Sequence, residues 1–546
     1  MSRDLLDRLD EWKGRFGRGG SDQLERLLAQ LARRRFREPA ALIRLHETLL
    51  FLRAYPPAPA VARLADSILF AFGDRVAAAA ADDNALFEEP EASGIAGTSL
   101  SAVFSYEVAR RLAALHSRSV EIAWDRHDSI DKLGPVLSRF LPLLGEEWPV
   151  EAHVAYREWI AAARRTSPAG TDLDWLLDRV AELPLTPRGR AELYDSLDLP
   201  LIWNIGSSRS SRSRLRIAGR RLYCHREPLL RRGDISLARE LDAPPLPVRR
   251  LARAEARKIL DAILETSAMR YRELYGFSHP DESAVFHADA GRGVDVFFFG
   301  VPPAWRLPLR AYHAGMFFKN GVPAGYVELL SLFERAEIGF NLYYTFREGE
   351  SAWLYARLLR LFRQALGVTC FSVDPYQIGL ENPEAIASGA FWFYRKLGFR
   401  PVEPGIAALV DREERRMRAT PGYRSSKRTL RRMAANCLIF EGPGAERGAW
   451  DNFRVRNLGL AAGAGDTSGA AGETAGAAGD TSGGLAQVMR MIPGLDGWPK
   501  EDQAAAARIV AAKHGPGEAR YLRLMQRHAR LRAAFLALTG CAPPAS

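Results

Sequence analysis

The stretch from Tyr326 to Phe399 constrains this chain more than any other. Two short apolar, aromatic runs come first, parted by the charged turn Glu334-Arg335. The loop Arg347-Glu348-Gly349-Glu350-Ser351 then opens a helix. Leu354, Leu358, Leu361 and Ala365 share one face of that helix at a period of about 3.6, and Gly367 stands where it would end. Val368 to Val373 reads as a buried strand. Asn382-Pro383 offers an N-cap followed by proline at the first helical position, and Gly398 closes this second helix. Strand, strand, loop, helix, strand, helix predicts an antiparallel ribbon continued by a right-handed parallel crossover.

With these residues, the order resembles the GNAT superfamily of acyl-CoA-dependent N-acyltransferases, from about Arg310 to Val410. In that superfamily the loop before the first crossover helix reads Q/R-x-x-G-x-G/A, and its N–H groups hold the CoA pyrophosphate. Here the loop is Phe346-Arg347-Glu348-Gly349-Glu350-Ser351, with Gly349 fitting, Phe346 in place of Gln/Arg and Ser351 in place of Gly/Ala. Ala390 to Phe399 looks like the superfamily's A-x-x-x-Y-x-K-x-G-F helix ending; the Asn usual three residues before that alanine is Ala387 here. The resemblance implies acetyl-CoA or another acyl-CoA as co-substrate, held by Tyr344, Phe346, Arg347, Glu348, Gly349, Glu350 and Ser351. It also implies Tyr394 as the group that protonates the departing thiolate.

At 546 residues the chain is too long for one core, so three or four domains are expected. The reading is multidomain α and α+β: a helical domain over 1–200, a basic and Pro-rich linker over 201–253 and a GNAT-like mixed sheet with helices over 254–445. A Gly/Ala/Thr/Ser tether over 459–484 and a helical tail over 485–546 follow. In the first domain Leu24, Leu27, Leu28 and Leu31, then Leu42, Leu45, Leu49 and Leu50, mark helical faces, and Pro56-Pro57-Ala58-Pro59 breaks the series. His127 and Asp131 have an acyltransferase-like spacing but no strand around them, so an exposed helical turn is expected. Lys319-Asn320-Gly321 is the strongest hairpin signal. The repeated AGDTSGA-type heptads of 464–484 hold no large apolar residue and predict a flexible tether. Beyond them, 501–538 predicts two helices, broken at Gly515-Pro516-Gly517, that cap the body.

No apolar run approaches the ~18 residues of a membrane span, and Met1-Ser2-Arg3-Asp4 leads into a charged helix rather than a signal core. Four cysteines without paired spacing point to a reduced, cytoplasmic protein with neither disulfide framework nor metal site. A formal charge of +11 favours anionic partners without choosing among CoA, acidic protein and nucleic acid. Two runs stand out: 207–221, rich in Ser and Arg, and 424–432, with Arg424, Lys427, Arg428, Arg431 and Arg432. Each is either a polyanion footprint or solvated surface, and the first also reads as a flexible linker.

Acyl transfer to an amine asks for a grip on CoA, a base for the amine and an acid for the thiolate. The N–H groups of Arg347 to Ser351 at a helix start would supply the grip, provided the carboxylates of Glu348 and Glu350 point away. Glu328 and Glu337, on the two strands facing the acceptor, are the base candidates. Tyr394 is either the proton donor or a packed ring among Phe391, Trp392 and Phe393. Trp353, Tyr376 and Trp392 either shape the site or fill the core. Two function classes stay open: an N-acyltransferase with an unidentified amine acceptor, or a GNAT-like module without chemistry that binds a CoA-like ligand or nucleic acid. An aminoacyl-tRNA-dependent transferase fold is a third, which explains the charge but not the loop.

Overall fold

A computed structural model describes residues 2–82, 84–128, 130–150, 155–165, 170–206, 208–217, 221–464, 489–492 and 494–540. The chain is mixed α/β and divides into two compact units. The first takes residues up to 228, 257–279 and 319–323; the second takes 229–256, 280–318 and those from 324 on.

The first unit opens with packed helices, among them Ser2–Trp12, Arg18–Ala32, Pro39–Ala54 and Pro59–Phe70. Leu24, Leu28, Leu31, Leu42, Leu45, Leu49 and Leu69 are sealed between them, so the periodic leucines do form the core. Pro39 and Pro59 each sit in the first helical turn, where a missing N–H costs nothing. The expectation of helices alone over 1–200 misses a three-stranded antiparallel sheet: β1 (Ser99–Val103), β2 (Val120–Ile122) and β3 (Pro200–Asn204), in the order β1-β3-β2. Strands this short leave no period to read in a Leu- and Ala-rich background. His127 is not on an exposed turn either; it is buried, with Nε2 3.2 Å from the Leu197 carbonyl.

The 201–253 segment is likewise not a free linker. Ser211, Arg212 and Ser213 are buried in the first unit. Farther along, the segment forms the Leu237–Asp242 helix and strand β4 (Val248–Arg250) of the second unit. The helix expected to open the GNAT-like domain, Arg253–Ala268, belongs to the first unit from residue 257 on. The Lys319-Asn320-Gly321 turn is a hairpin tip as expected, with φ of 50° at Asn320 and 81° at Gly321. Asn320 there donates to the carbonyls of Ala54 and Tyr223 and accepts the Tyr223 N–H.

The second unit is built on a nine-stranded mixed sheet in the order β11-β12-β10-β9-β8-β7-β6-β5-β4. Its strands are β5 (Phe286–Gly291), β6 (Val294–Gly300), β7 (Ala311–Lys319), β8 (Val322–Leu332), β9 (Arg335–Leu342), β10 (Cys370–Val373), β11 (Arg400–Pro401) and β12 (Leu438–Glu441). Between β9 and β10 runs the Ser351–Leu366 helix, ended by left-handed Gly367 at φ 73°. The helix predicted from Asn382 is two: Pro383–Ser388, capped by Asn382, and Ala390–Lys396, with left-handed Gly389 between. The residues after 499 form three helices, Lys500–Lys513, Glu518–Gln526 and Ala529–Gly540. They dock within this unit: the Tyr521 hydroxyl donates to the Leu309 carbonyl, and Gln526 to those of Phe333 and Leu366. The tether expected over 459–484 is not a tether at its start, because 459–464 belong to the Val455–Ala464 helix; its remainder from 465 on, and Cys541, lie outside the described residues. Among the described residues no helix is long and apolar enough to cross a membrane.

Candidate functional site

The central sheet opens between β9 and β10. β9 and β10 run parallel with Arg335 beside Cys370, Ala336 beside Phe371 and Glu337 beside Ser372, and there the pairing stops. β9 continues to Leu342, still held by β8 as far as Gly325. β10 instead turns away at Val373, and Asp374 caps the Pro375–Ile378 helix by accepting the Tyr376 N–H at 2.8 Å. The Tyr343 N–H bonds the Ala324 carbonyl on the β8 side, so alternation turns the main-chain groups of Ile338 and Phe340 toward the gap.

The loop and helix start after β9 adjoin this opening. Tyr344 is 60% exposed, and Arg347 lies over its ring while pairing with Glu384. Phe346 is buried. The N–H groups of Arg347 and Gly349 are taken by the carbonyls of Tyr344 and Phe346. The donors left over lie later than the sequence suggests: Ser351, Ala352 and Trp353 have no N–H partner among the described residues, and Leu354 makes the first helical bond, to Glu350. Glu348 is exposed. Glu350 is 2% exposed and turned inward, accepting from the Leu230 N–H at 3.1 Å and from Arg292 Nε at 2.9 Å. An acidic residue at the helix start is thus neutralised by a cation from the β5–β6 turn rather than aimed at an incoming anion.

The two carboxylate candidates share one face of the sheet. Glu328 stands opposite Gly339 and Leu330 opposite Glu337, so Glu328 and Glu337 are diagonal neighbours. On β8 and β9 the positions not fully buried are Glu328, Leu330, Glu337, Gly339, Phe340 and Asn341, and all but Phe340 lie on this face. Their environments differ. Glu337 is held by Arg310 at 3.7 Å and Arg335 at 3.5 Å. Glu328 has no ion pair among the described residues; it accepts the Tyr312 hydroxyl, and burial pushes its carboxyl above the ordinary range despite that bond. Glu328 is therefore the carboxylate prepared to take a proton.

Tyr394 lies on the opposite face. Its ring is 3% exposed and meets Tyr355 edge-on at 5.5 Å, with Phe393 and Phe399 beside it. Tyr355 in turn packs on Phe340 of β9, at the gap. Tyr394 therefore packs in the core, and its hydroxyl makes no hydrogen bond with the described residues. Burial holds the phenol well above its ordinary pKa, so it is protonated throughout the neutral range. Trp353 and Trp392 are buried, whereas Tyr376 is 54% exposed.

Sequence reasoning missed Tyr312, on the neighbouring strand β7, and Arg292, in the β5–β6 turn, neither of which carries a local motif. It also missed a trio in the first unit. Ser213 Oγ lies 2.9 Å from His46 Nε2, and His46 Nδ1 lies 2.8 Å from Glu47 Oε1. Hydroxyl, imidazole and carboxylate in this order serve nucleophilic catalysis elsewhere. Here Ser213 and His46 are both fully buried, and the Ala96 N–H occupies Ser213 Oγ at 3.0 Å, so the trio is a structural clasp. Among the described residues no group of three or more His, Cys, Asp or Glu side chains is placed to hold a metal ion. Compared with known proteins, the chain matches no family model, no curated protein and no solved structure.

Proposed function

We propose that this protein is an acyl-CoA-dependent N-acyltransferase on a GNAT-like fold, with acetyl-CoA or another acyl-CoA as donor and an amine as acceptor. The observation that carries the reading is the parting of β9 and β10 beside the start of the Ser351–Leu366 helix. An extended thioester with amide groups has its needs met there. The main chain of Ile338 and Phe340 pairs with it as a neighbouring strand would. The N–H groups of Ser351 to Trp353 and the helix dipole face its diphosphate.

The amine approaches in its neutral form on the face of Glu328. Its nitrogen bonds the thioester carbonyl carbon and gives its surplus proton to Glu328, the C–S bond breaks, and the thiolate takes the phenolic proton of Tyr394. Glu328 returns its proton to water, and Tyr394 regains one from it. Glu337, fixed by two arginines, shapes the acceptor floor.

The test is a thermal-shift titration of the full chain with CoA and acetyl-CoA, followed by thiol release in the presence of a panel of amines. A ligand at 100 times its Kd stabilises the native state by about 2.7 kcal/mol, a clear shift. Gly349→Val crowds the loop and abolishes that shift. Tyr394→Phe keeps it and slows thiol release by about 10²–10⁴-fold. No shift with either ligand would overturn the proposal.

A further inference from the structure

A second surface of the second unit carries chemistry that acyl transfer does not use. The Pro404–Ala419 and Lys427–Met433 helices follow one another, and the turn between them is pinned from within. Glu413, 1% exposed, accepts from the Tyr423 hydroxyl at 3.0 Å, Ser425 Oγ at 2.6 Å and Arg416 at 3.1 Å. Ser426 then caps the second helix by accepting the Thr429 N–H at 3.1 Å. The frame is fixed, and the cations are on its outside.

Arg412, Arg415 and Arg418 are exposed on the first helix and form no ion pair with the described residues. Arg424 in the turn, with Lys427, Arg428, Arg431 and Arg432 on the second helix, is in the same condition. From 412 to 433 there are only two acidic residues, and both are engaged inward: Glu413 as described, Glu414 with Arg395. Lys396 adds to the crowding; its ammonium is depressed by burial and then by Arg232 and Arg424.

We infer that these two helices form a docking surface for the phosphate backbone of double-stranded nucleic acid, read without regard to sequence. Eight unpaired cations on one framework call for a polyanion, and seven of them are arginines, whose fork matches phosphate oxygens two at a time. No large apolar side chain is exposed between 404 and 433, so the surface lacks the wedge an amphipathic membrane helix needs. It equally lacks free aromatic rings for stacking unpaired bases, since Tyr423 is spent on Glu413. Phosphates held at fixed spacing on a duplex are what remains. This inference stands apart from the acyl-transfer reading.

The experiment is fluorescence anisotropy of the full chain with a random-sequence DNA duplex, a duplex RNA, single strands, polyglutamate and phosphatidylserine vesicles. Engaging about four phosphates gives a log–log salt slope of about −3.6 on DNA, or about 150-fold weaker binding from 50 to 200 mM salt. Arg428→Glu with Arg431→Glu and Arg432→Glu should cut affinity at least about tenfold and flatten the slope while the melting temperature holds. Arg412→Gln with Arg415→Gln and Arg418→Gln gives an independent, milder loss. The inference is overturned if no duplex binds at 50 mM salt, if neither variant changes binding, or if single strands, polyglutamate or vesicles bind more tightly than duplex.

Discussion

Two basic segments of similar composition meet opposite fates in this molecule. Around Arg212 three arginines find acceptors, and Arg212 itself is buried. Arg212 reaches Glu47 at 2.7 Å and the carbonyls of Glu91 and Ser93 at 2.7 and 3.1 Å. Arg214 donates to the Phe70 carbonyl at 2.8 Å and lies over its ring, while Arg216 pairs with Asp66. Around Arg428 none of the cations finds such a partner, and all stay in water. Counting charges along the chain cannot separate the two. The supply of acceptors does: the first segment is laid across helix ends and carbonyls contributed from residues 47–93, and the second has spent Glu413 inside its own turn and Glu414 on Arg395.

The sharpest way to break the comparison is to remove one arginine from each side. Arg212→Met removes a buried cation from Glu47 and leaves the carbonyls of Glu91 and Ser93 without its guanidinium, so denaturant unfolding should show a loss of about 3–5 kcal/mol. Arg428→Met should change stability by no more than about 0.5 kcal/mol. Equal losses would mean the second segment is packed after all.

Acid sharpens it next. Burial holds His46, beside Ser213 and Glu47, down to a pKa of about 4, against an ordinary value near 6.5. The unfolded chain therefore takes the proton first. The stability His46 contributes is whole above about pH 6.5 and is lost as pH falls through about 4, roughly 3 kcal/mol in all. Melting curves from pH 7 to 4 should show this slope in the wild type, and His46→Gln should lack it.

The smallest effect concerns what frames the exposed segment. Glu413→Gln keeps the shape but weakens the bonds to Tyr423, Ser425 and Arg416, and should cost about 1–2 kcal/mol. Limited proteolysis should then cut near 420–426 sooner than in the wild type. An unchanged cutting pattern would show that the turn is held by something other than this carboxylate.

Much of the second unit was legible in the sequence, because its signals are local. The Asn320-Gly321 turn, the Gly367 stop and the Asn382 cap each depend on a few neighbouring residues, and each is present. The strand pairs around Glu328 and Glu337 followed from apolar runs of the right length. The rest depends on residues far apart in sequence. Nothing near Glu350 announces that Arg292 will meet it, nor does anything near Glu328 announce Tyr312. The Ser- and Arg-rich segment looked like a linker because its burial rests on carbonyls supplied by other helices, and three-residue strands such as β2 have no period to detect.

The docking of the helices after residue 499 sets a timetable for synthesis. Buried Lys513, paired with Glu518, donates to the Arg310 carbonyl, and Glu518 accepts the Tyr312 N–H at 3.3 Å. Lys513 and the Leu309 carbonyl it also reaches are 204 positions apart. On a ribosome adding about 5–20 residues per second, the entry to β7 waits for its brace for ten seconds or more, roughly. During that interval Tyr312, the partner of Glu328, sits on an unsupported strand start. The nascent chain therefore has the start of β7 braced late, and a chain ended before residue 500 would lack the Lys513 and Glu518 contacts at Leu309, Arg310 and Tyr312.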